Sequence, residues 1–393
     1  MKIRKTLLLF AFLTSTIYFS QEVPYQLYQK DLEATDTKDA LFNDKMLNLF
    51  FANEIGTAFG GSNNLSLQKF YASLDASDKS LSIGFNYDSR PNDKLKRLKF
   101  IHSGNIKLKS SNKFATVFDY SKEDAFQKDN IGFSYKFSFI GRGILNFKNT
   151  DGRDRKSAIL ANRAKLYKNY NTVVDNAQEL YVEMVEKEIE FIKTNKLYNF
   201  QWNHWYSLDL YVPLGKRTYN TTPIITTALS EERFWDASLS LSANTMWQFS
   251  KGYSIYLRGL FNIKNNNNIL VDNLSSKAFQ TTATGANNLL VVTDSDDGYI
   301  TNYNEFITPS ILLEPAFFLK TGIGHIGLSP SVEFNFGTYD AINWKFGVPV
   351  SLNDSEGKAK INFELQWREL RTLNTSVHLI GISTNFLFGD LIN

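Results

Sequence analysis

The stretch KINFELQWR, residues 360–368, sets a charged or amide side chain at every even position and a large apolar one at every odd position. On a strand, successive side chains point to opposite faces. Lys360, Asn362, Glu364, Gln366 and Arg368 therefore share one face, and Ile361, Phe363, Leu365 and Trp367 share the other. In a water-soluble sheet the apolar face would cover a core. In a membrane barrel it would meet lipid, and the polar face would line a lumen. The rest of the chain must choose between these burials.

The first residues, MKIRKTLLLFAFLTSTIYFSQ, place Lys2, Arg4 and Lys5 before an apolar run from Leu7 to Phe19, and the small Ser20 follows. A basic start and an apolar run too short to span a bilayer read as a secretory signal over residues 1–20. The chain has 43 Lys and Arg against 40 Asp and Glu. Removing the three basic residues of the signal leaves 40 of each sign, so the balance offers no electrostatic footprint for nucleic acid. Cysteine is absent, which excludes a disulfide framework or an acylated cysteine anchor. After the signal no run of 18 apolar residues occurs, so no helix is expected to cross a membrane.

Alternation recurs along the chain. Ile131, Phe133, Tyr135, Phe137 and Phe139 oppose Gly132, Ser134, Lys136 and Ser138. Trp235, Leu239, Leu241, Trp247 and Phe249 oppose Asp236, Ser240, Ser242 and Gln248. The pattern predicts strands at 47–59, 64–74, 79–88, 97–109, 113–121, 130–147, 198–214, 234–249, 253–265, 305–320, 324–337, 341–352, 359–369 and 375–388. The expected fold is all-β: an antiparallel transmembrane β-barrel of about 14 strands (12 to 14). It occupies residues 46–393, and residues 21–45 precede it as a possible plug. With the first strand counted as outgoing, the even-numbered turns fall on one side. They include SSNK at 110–113, SKG at 250–252, TGIG at 321–324 and NDSEGK at 353–358, all short enough for periplasmic turns. Connections 89–96, 122–129, 215–233 and 266–304 then fall on the other side as outer loops. Pro213, Pro309, Pro315, Pro330 and Pro349 lie inside predicted strands, where each removes a ladder donor, so bulges or long strands are expected there.

One connection is helical in character. Within an insertion at 151–196, Ile159, Leu166, Tyr170, Val173, Ala177, Leu180 and Met184 recur every three or four residues between Arg155 and Asn195. Such a stripe packs on its own protein or binds a partner protein. Asn169 to Thr172 is the expected break between two helices.

The signal, the alternating strands, the uneven loops and the terminal strand VHLIGISTNFLF resemble the outer-membrane β-barrels of Gram-negative bacteria, and the Asn/Lys/Phe-rich style is similar to those of Bacteroidota. A barrel of this size with an internal plug resembles the fatty-acid-transporter class. The resemblance implies a place in the cell outer membrane, with membrane lipid as a partner. In such barrels a terminal aromatic residue is read by the insertion machinery; here Phe388 is followed by GDLIN.

Chemistry-bearing constellations are sparse. IHSGN at 101–105 resembles the His-x-Ser-Asn-Gly pattern of outer-membrane phospholipases, but adjacent His102 and Ser103 point to opposite faces. His204, His325 and His378 are far apart in sequence, and no Ser/His/Asp set assembles from local spacing, so no enzyme and no cofactor is expected. DSDDGYITNYNE at 294–305 offers Asp294, Asp296 and Glu305 as a weak metal candidate. It fails the calcium-loop template at its glycine and at its fifth position, and a solvated acidic loop is expected. Trp202, Tyr206, Trp344 and Phe388 fall on outward faces, where rings suit the headgroup layer, and Trp205 faces inward. The inward list holds Asp209, Asp236, Arg258, Glu314, His325, Glu333, Lys345, Lys360, Glu364 and Arg368. Both signs occur on neighbouring strands, so Glu333 with Lys345, and Lys345 with Lys360 or Glu364, are candidate pairs. Together these readings predict a monomeric passive channel or uptake protein for small solutes. The alternative is a non-conducting barrel that scaffolds a partner through the helical insertion; a barrel hydrolase or a soluble secreted β protein ranks lower.

Overall fold

The computed structural model describes residues 23–33, 68–75, 80–88, 98–109, 130–147, 154–225, 227–284, 290–322, 324–353, 359–373 and 375–391. The expected signal and the predicted strands 47–59 and 113–121 lie outside these residues. The chain divides into two units, one built of helices and one built of strands.

Twelve strands close the barrel among the described residues: β1 (Gln68–Asp75), β2 (Ser80–Asp88), β3 (Phe100–Lys109), β4 (Ile131–Ile140), β6 (Phe200–Pro213), β9 (Ser238–Phe249), β10 (Tyr253–Asn267), β13 (Glu305–Thr321), β14 (Gly324–Asn335), β15 (Ala341–Asn353), β16 (Ala359–Arg371) and β17 (Ser376–Leu391). Each pairs antiparallel with the next, and β17 pairs back on β1, so no edge remains among them. A three-residue strand, β5 (Ile144–Asn146), follows β4 in the chain. All twelve answer strands expected from alternation. β1 lies between β2 and β17, and β3 pairs directly with β4, so the twelve described strands close on themselves.

That count corrects the side assignments. With β3 and β4 paired, the last residue of β3 and the first of β4 lie at the same end as 214–237 and 268–304. The turns at 250–252, 322–323 and 354–358 lie at the opposite end, together with connection 89–99 and the first and last residues of the barrel. The chain also leaves the barrel at Ile140 and returns at Phe200 at that end. Connections 214–237 and 268–304, expected as loops, instead contribute a second sheet. In it β7 (Arg217–Thr222), β8 (Ser230–Phe234), β11 (Lys277–Thr284) and β12 (Leu290–Ile300) run in the order β11-β12-β7-β8. Tyr219, Phe234 and Ile269 form its small core with Leu274, Tyr299 and Tyr303.

The barrel's faces are inverted relative to a soluble protein. Along β2, Ser80, Ser82, Asn86 and Asp88 are buried while Leu81, Ile83, Phe85 and Tyr87 are exposed. On β16, Asn362, Glu364 and Gln366 of KINFELQWR are buried, and Leu365 and Trp367 lie exposed outside. Outward rings form a girdle near the end that bears the termini: Phe100 on Phe137 and Phe139, Trp202 on His204, and Phe249 on Tyr253. Near the other end Trp367 stacks on His378, and Trp344 is exposed.

The prolines are accommodated by lapses in pairing. Between β13 and β14 the register breaks off after Leu313 and Val332 and resumes at Phe317 and Leu328, leaving Pro315 and Pro330 opposite the lapse. Pro315 stays registered with Leu257 on its other side, and Pro330 with Phe346. A strand residue offers its N–H to one neighbour only, so a proline breaks one ladder and spares the other.

In the helical unit, α2 (Arg155–Tyr170) and α3 (Ala177–Thr194) form a hairpin, and α1 (Pro24–Glu33) packs on it. Asp154 caps α2 by accepting from the Ser157 backbone N–H at 3.1 Å. The break falls at residues 171–176, slightly later than the spacing predicts. Ile159, Tyr170, Ala177 and Met184 of the expected stripe are buried, whereas Val173 sits exposed in the break. Tyr28 of α1 is fully buried in the same core, so the described part of the N-terminal segment packs on the hairpin.

Candidate functional site in the barrel lumen

The proline-induced lapses coincide with the charged part of the inner wall. Glu314 precedes Pro315, Ser329 precedes Pro330, and Glu364 is registered opposite Pro349. Where the backbone ladder lapses, a side chain spans the gap: Ser329 Oγ donates to Glu314 Oε1 at 2.9 Å.

Four ionic side chains form a chain across β10, β13, β15 and β16. Arg258 Nη1 donates to Glu314 Oε2 at 3.3 Å, Lys345 Nζ to Glu314 Oε1 at 2.6 Å, and Lys345 Nζ to Glu364 Oε1 at 3.1 Å. All four are at least 85% buried as side chains, where charges persist only when paired. Gly347 makes the last contact possible. A Cβ there would collide with Glu364 Oε1, so the glycine gives the carboxylate room to lie toward Lys345.

Of the six lumen residues singled out in the sequence, Glu314, Lys345 and Glu364 meet in this chain. Glu333 and Arg368 line the same cavity of about 140 Å³ without joining it. Glu333 accepts from Ser310 Oγ at 3.0 Å and from Asn343 Nδ2 at 3.3 Å, while Arg368 Nε donates to Gln366 Oε1 at 2.8 Å. Lys360 is exposed at the far end of β16. The candidate pair of Lys345 with Glu364 therefore forms. Glu333 is instead registered with Asn343, and Lys345 reaches past β14 to Glu314 on β13.

Toward the end that bears the termini the inner wall turns bulky. Trp205 stacks on Tyr256 with centroids 5.8 Å apart, and the Tyr256 hydroxyl donates to Asn244 Oδ1 at 2.6 Å. Trp205, Tyr256, Met246 and Phe318 are each at most 2% exposed. Elsewhere Lys109 pairs with Asp236 at 2.7 Å, and Asp209 accepts from Ser134 Oγ at 2.7 Å. His325 faces inward and is buried, whereas His102 faces outward and Ser103 inward, which keeps the phospholipase pattern unmet.

Asp294 and Asp296 belong to strand β12 and Glu305 opens β13, so the expected acidic loop is largely strand. Among the described residues no three acidic or histidine side chains gather as a metal site.

The sequence did not reveal Ser329, the Tyr256 layer or the role of Gly347. A serine or glycine at an inward position looks the same whether or not a partner from another strand reaches it.

No family model matches the chain, and no curated protein matches it. Among solved structures the chain is similar to the β domain of the Bordetella autotransporter BrkA, at 8% identity over 82% of this chain and 96% of that one, with a TM-score of 0.32.

Proposed function

We propose that this protein resides in the outer membrane and passes small polar solutes through its lumen. The observation that carries the reading is the opposition of the two barrel faces. The outer wall is apolar and girdled with rings, which suits lipid. The inner wall is polar and charged around a cavity of about 140 Å³. Passage would run beside the chain Arg258–Glu314–Lys345–Glu364, and its mixed signs fit neutral or zwitterionic solutes better than a stream of one ion sign. No cofactor and no enzymatic step enters this role.

Planar-bilayer recording tests it. The full-length protein should conduct rarely or in small steps, and Glu314→Gln, which removes the negative charge and one of the two acceptor oxygens that serve Arg258, Lys345 and Ser329, should raise conductance. Silence from both, with no solute entry into proteoliposomes, would overturn transport. Location is tested by fractionation with the outer membrane and by a gel mobility that changes on heating.

The buried layer of Trp205, Tyr256, Met246 and Phe318 favours a second reading, a barrel that never conducts and instead scaffolds a partner protein through the helical insertion. Silence in the recordings, combined with capture of a defined partner by the full chain and its loss on deleting 155–195, would favour that reading.

A further inference from the structure

The lumen charges do not balance locally in the way their total suggests. Glu314 and Glu364 are matched within their own chain by Arg258 and Lys345. Asp75, Glu333 and Arg368 also line the cavity; of these, Glu333 and Arg368 are, among the described residues, each hydrogen-bonded only to neutral side chains and in no ion pair. Charges inside a membrane-spanning wall are costly unless water, a partner or a ligand meets them. The two do not meet each other. Glu333 is level with Asn343 on β15, and Arg368 stands on β16 opposite Lys345. That places them two strands across and two residues along, with Cα atoms about 12 Å apart on ideal sheet spacing.

Arg258 supplies a second, independent sign. Its guanidinium lines the same cavity and is buried, and its Nε has no hydrogen-bond partner. An unsatisfied donor on a buried charged side chain beside a cavity marks a wall whose polar groups are not all met from within the protein.

We infer that this cavity is a binding site for a small zwitterion of the α-amino-acid type, with its ammonium on Glu333 and its carboxylate on Arg368. The cavity of about 140 Å³ suits a molecule of a few heavy atoms. A lone cation would leave Arg368 unanswered, and a lone anion would leave Glu333 unanswered. A zwitterion answers both without changing the net charge of the lumen, and the planar fork of Arg368 matches a carboxylate. The site deepens the proposed transport role by naming a solute class, but its occupation does not require conduction.

Isothermal titration of the full-length protein in detergent with alanine, propionate and ethylamine tests the site. Alanine should bind saturably, and the two single-charge analogues about tenfold or more weakly, because each loses one charge-assisted contact. Glu333→Gln and Arg368→Gln should each weaken alanine binding by about ten- to a hundredfold. The reversed double variant, Glu333→Arg with Arg368→Glu, should recover binding that either reversal alone abolishes, a rescue that a merely structural role would not give. Absence of saturable alanine binding, or propionate binding equal to alanine, overturns the inference with the native chain alone, whatever the variants do. A barrel that binds alanine but passes no current removes the transport reading and leaves this site. A conducting barrel that ignores alanine does the reverse.

Discussion

The helical unit and the barrel each bury charged side chains, and they do so in opposite surroundings. In the helical unit, Arg163 donates to Glu188 Oε1 through Nε at 3.1 Å and Nη2 at 2.9 Å. Tyr28 donates to Glu188 Oε2 at 3.1 Å, and the whole group sits within an apolar core containing Tyr181, Val185 and Ile189. In the barrel the chain around Glu314 has serine and amide neighbours and a cavity beside it, and the apolar residues are on the outside. The same chemistry thus closes an apolar core in one unit and lines a polar cavity in the other. What differs is which face of the element the sequence made apolar.

The largest expected effect comes from breaking the pair in the apolar core. Arg163→Leu strands Glu188 without its cation and should destabilise the helical unit by about 3 to 5 kcal/mol, read as lost hydrogen-exchange protection in α2 and α3 while the barrel amides keep theirs. Next come two leucines of nearly equal exposure, Leu365 on β16 at 48% and Leu160 on α2 at 44%. If the barrel's outer face meets lipid, Leu365→Arg should cost about 2 to 4 kcal/mol in a refolding titration in lipid vesicles. Leu160→Arg, on a face that meets water, should stay within about 0.5 kcal/mol. Equal costs at the two sites would dissolve the contrast between the units.

A subtler effect concerns pH. Burial raises the Glu188 carboxyl above its ordinary value, against the lowering pull of Arg163 and of the Tyr28 hydroxyl. The folded state then holds this proton more tightly than the unfolded chain. Its contribution is fully present below the ordinary carboxylate range and is lost as pH rises through the folded value. Protection of α2 and α3 should therefore decline as pH rises from the acid side through that window, and Glu188→Gln should flatten the decline. The smallest effect belongs to Gly347→Ala. The added methyl would displace Glu364 from Lys345, and the side chain can swing away, so a loss near the low end of about 1 to 3 kcal/mol is expected, with the lumen contact changed more than the stability.

Much of the barrel was legible because alternation is local. A strand's two faces are written in residues i and i+2, so the twelve wall strands, the inward turn of Trp205 and the outward turn of Trp202 could be read without any partner. The helical hairpin was legible for the same reason at its longer period. Strands β7, β8, β11 and β12 were not. RTYNTT and SEERF are short and polar, and only the distant Ile269 and Tyr299 complete the core that holds them. The predicted strands 47–59 and 113–121 lie outside the described residues.

The sequence by itself determined which side chains face in and which face out, since that depends only on spacing along a few residues of chain. Only the tertiary structure decided that twelve strands close, which end carries each connection, and which charges meet. Lys345 reaches Glu314 across an intervening strand, beside a lapse made by Pro315 and Pro330. Glu333 and Arg368 were equal candidates in the sequence, yet register leaves them apart. Pairing of that kind is set by shear and closure of the whole sheet, and no stretch of sequence as short as KINFELQWR encodes it.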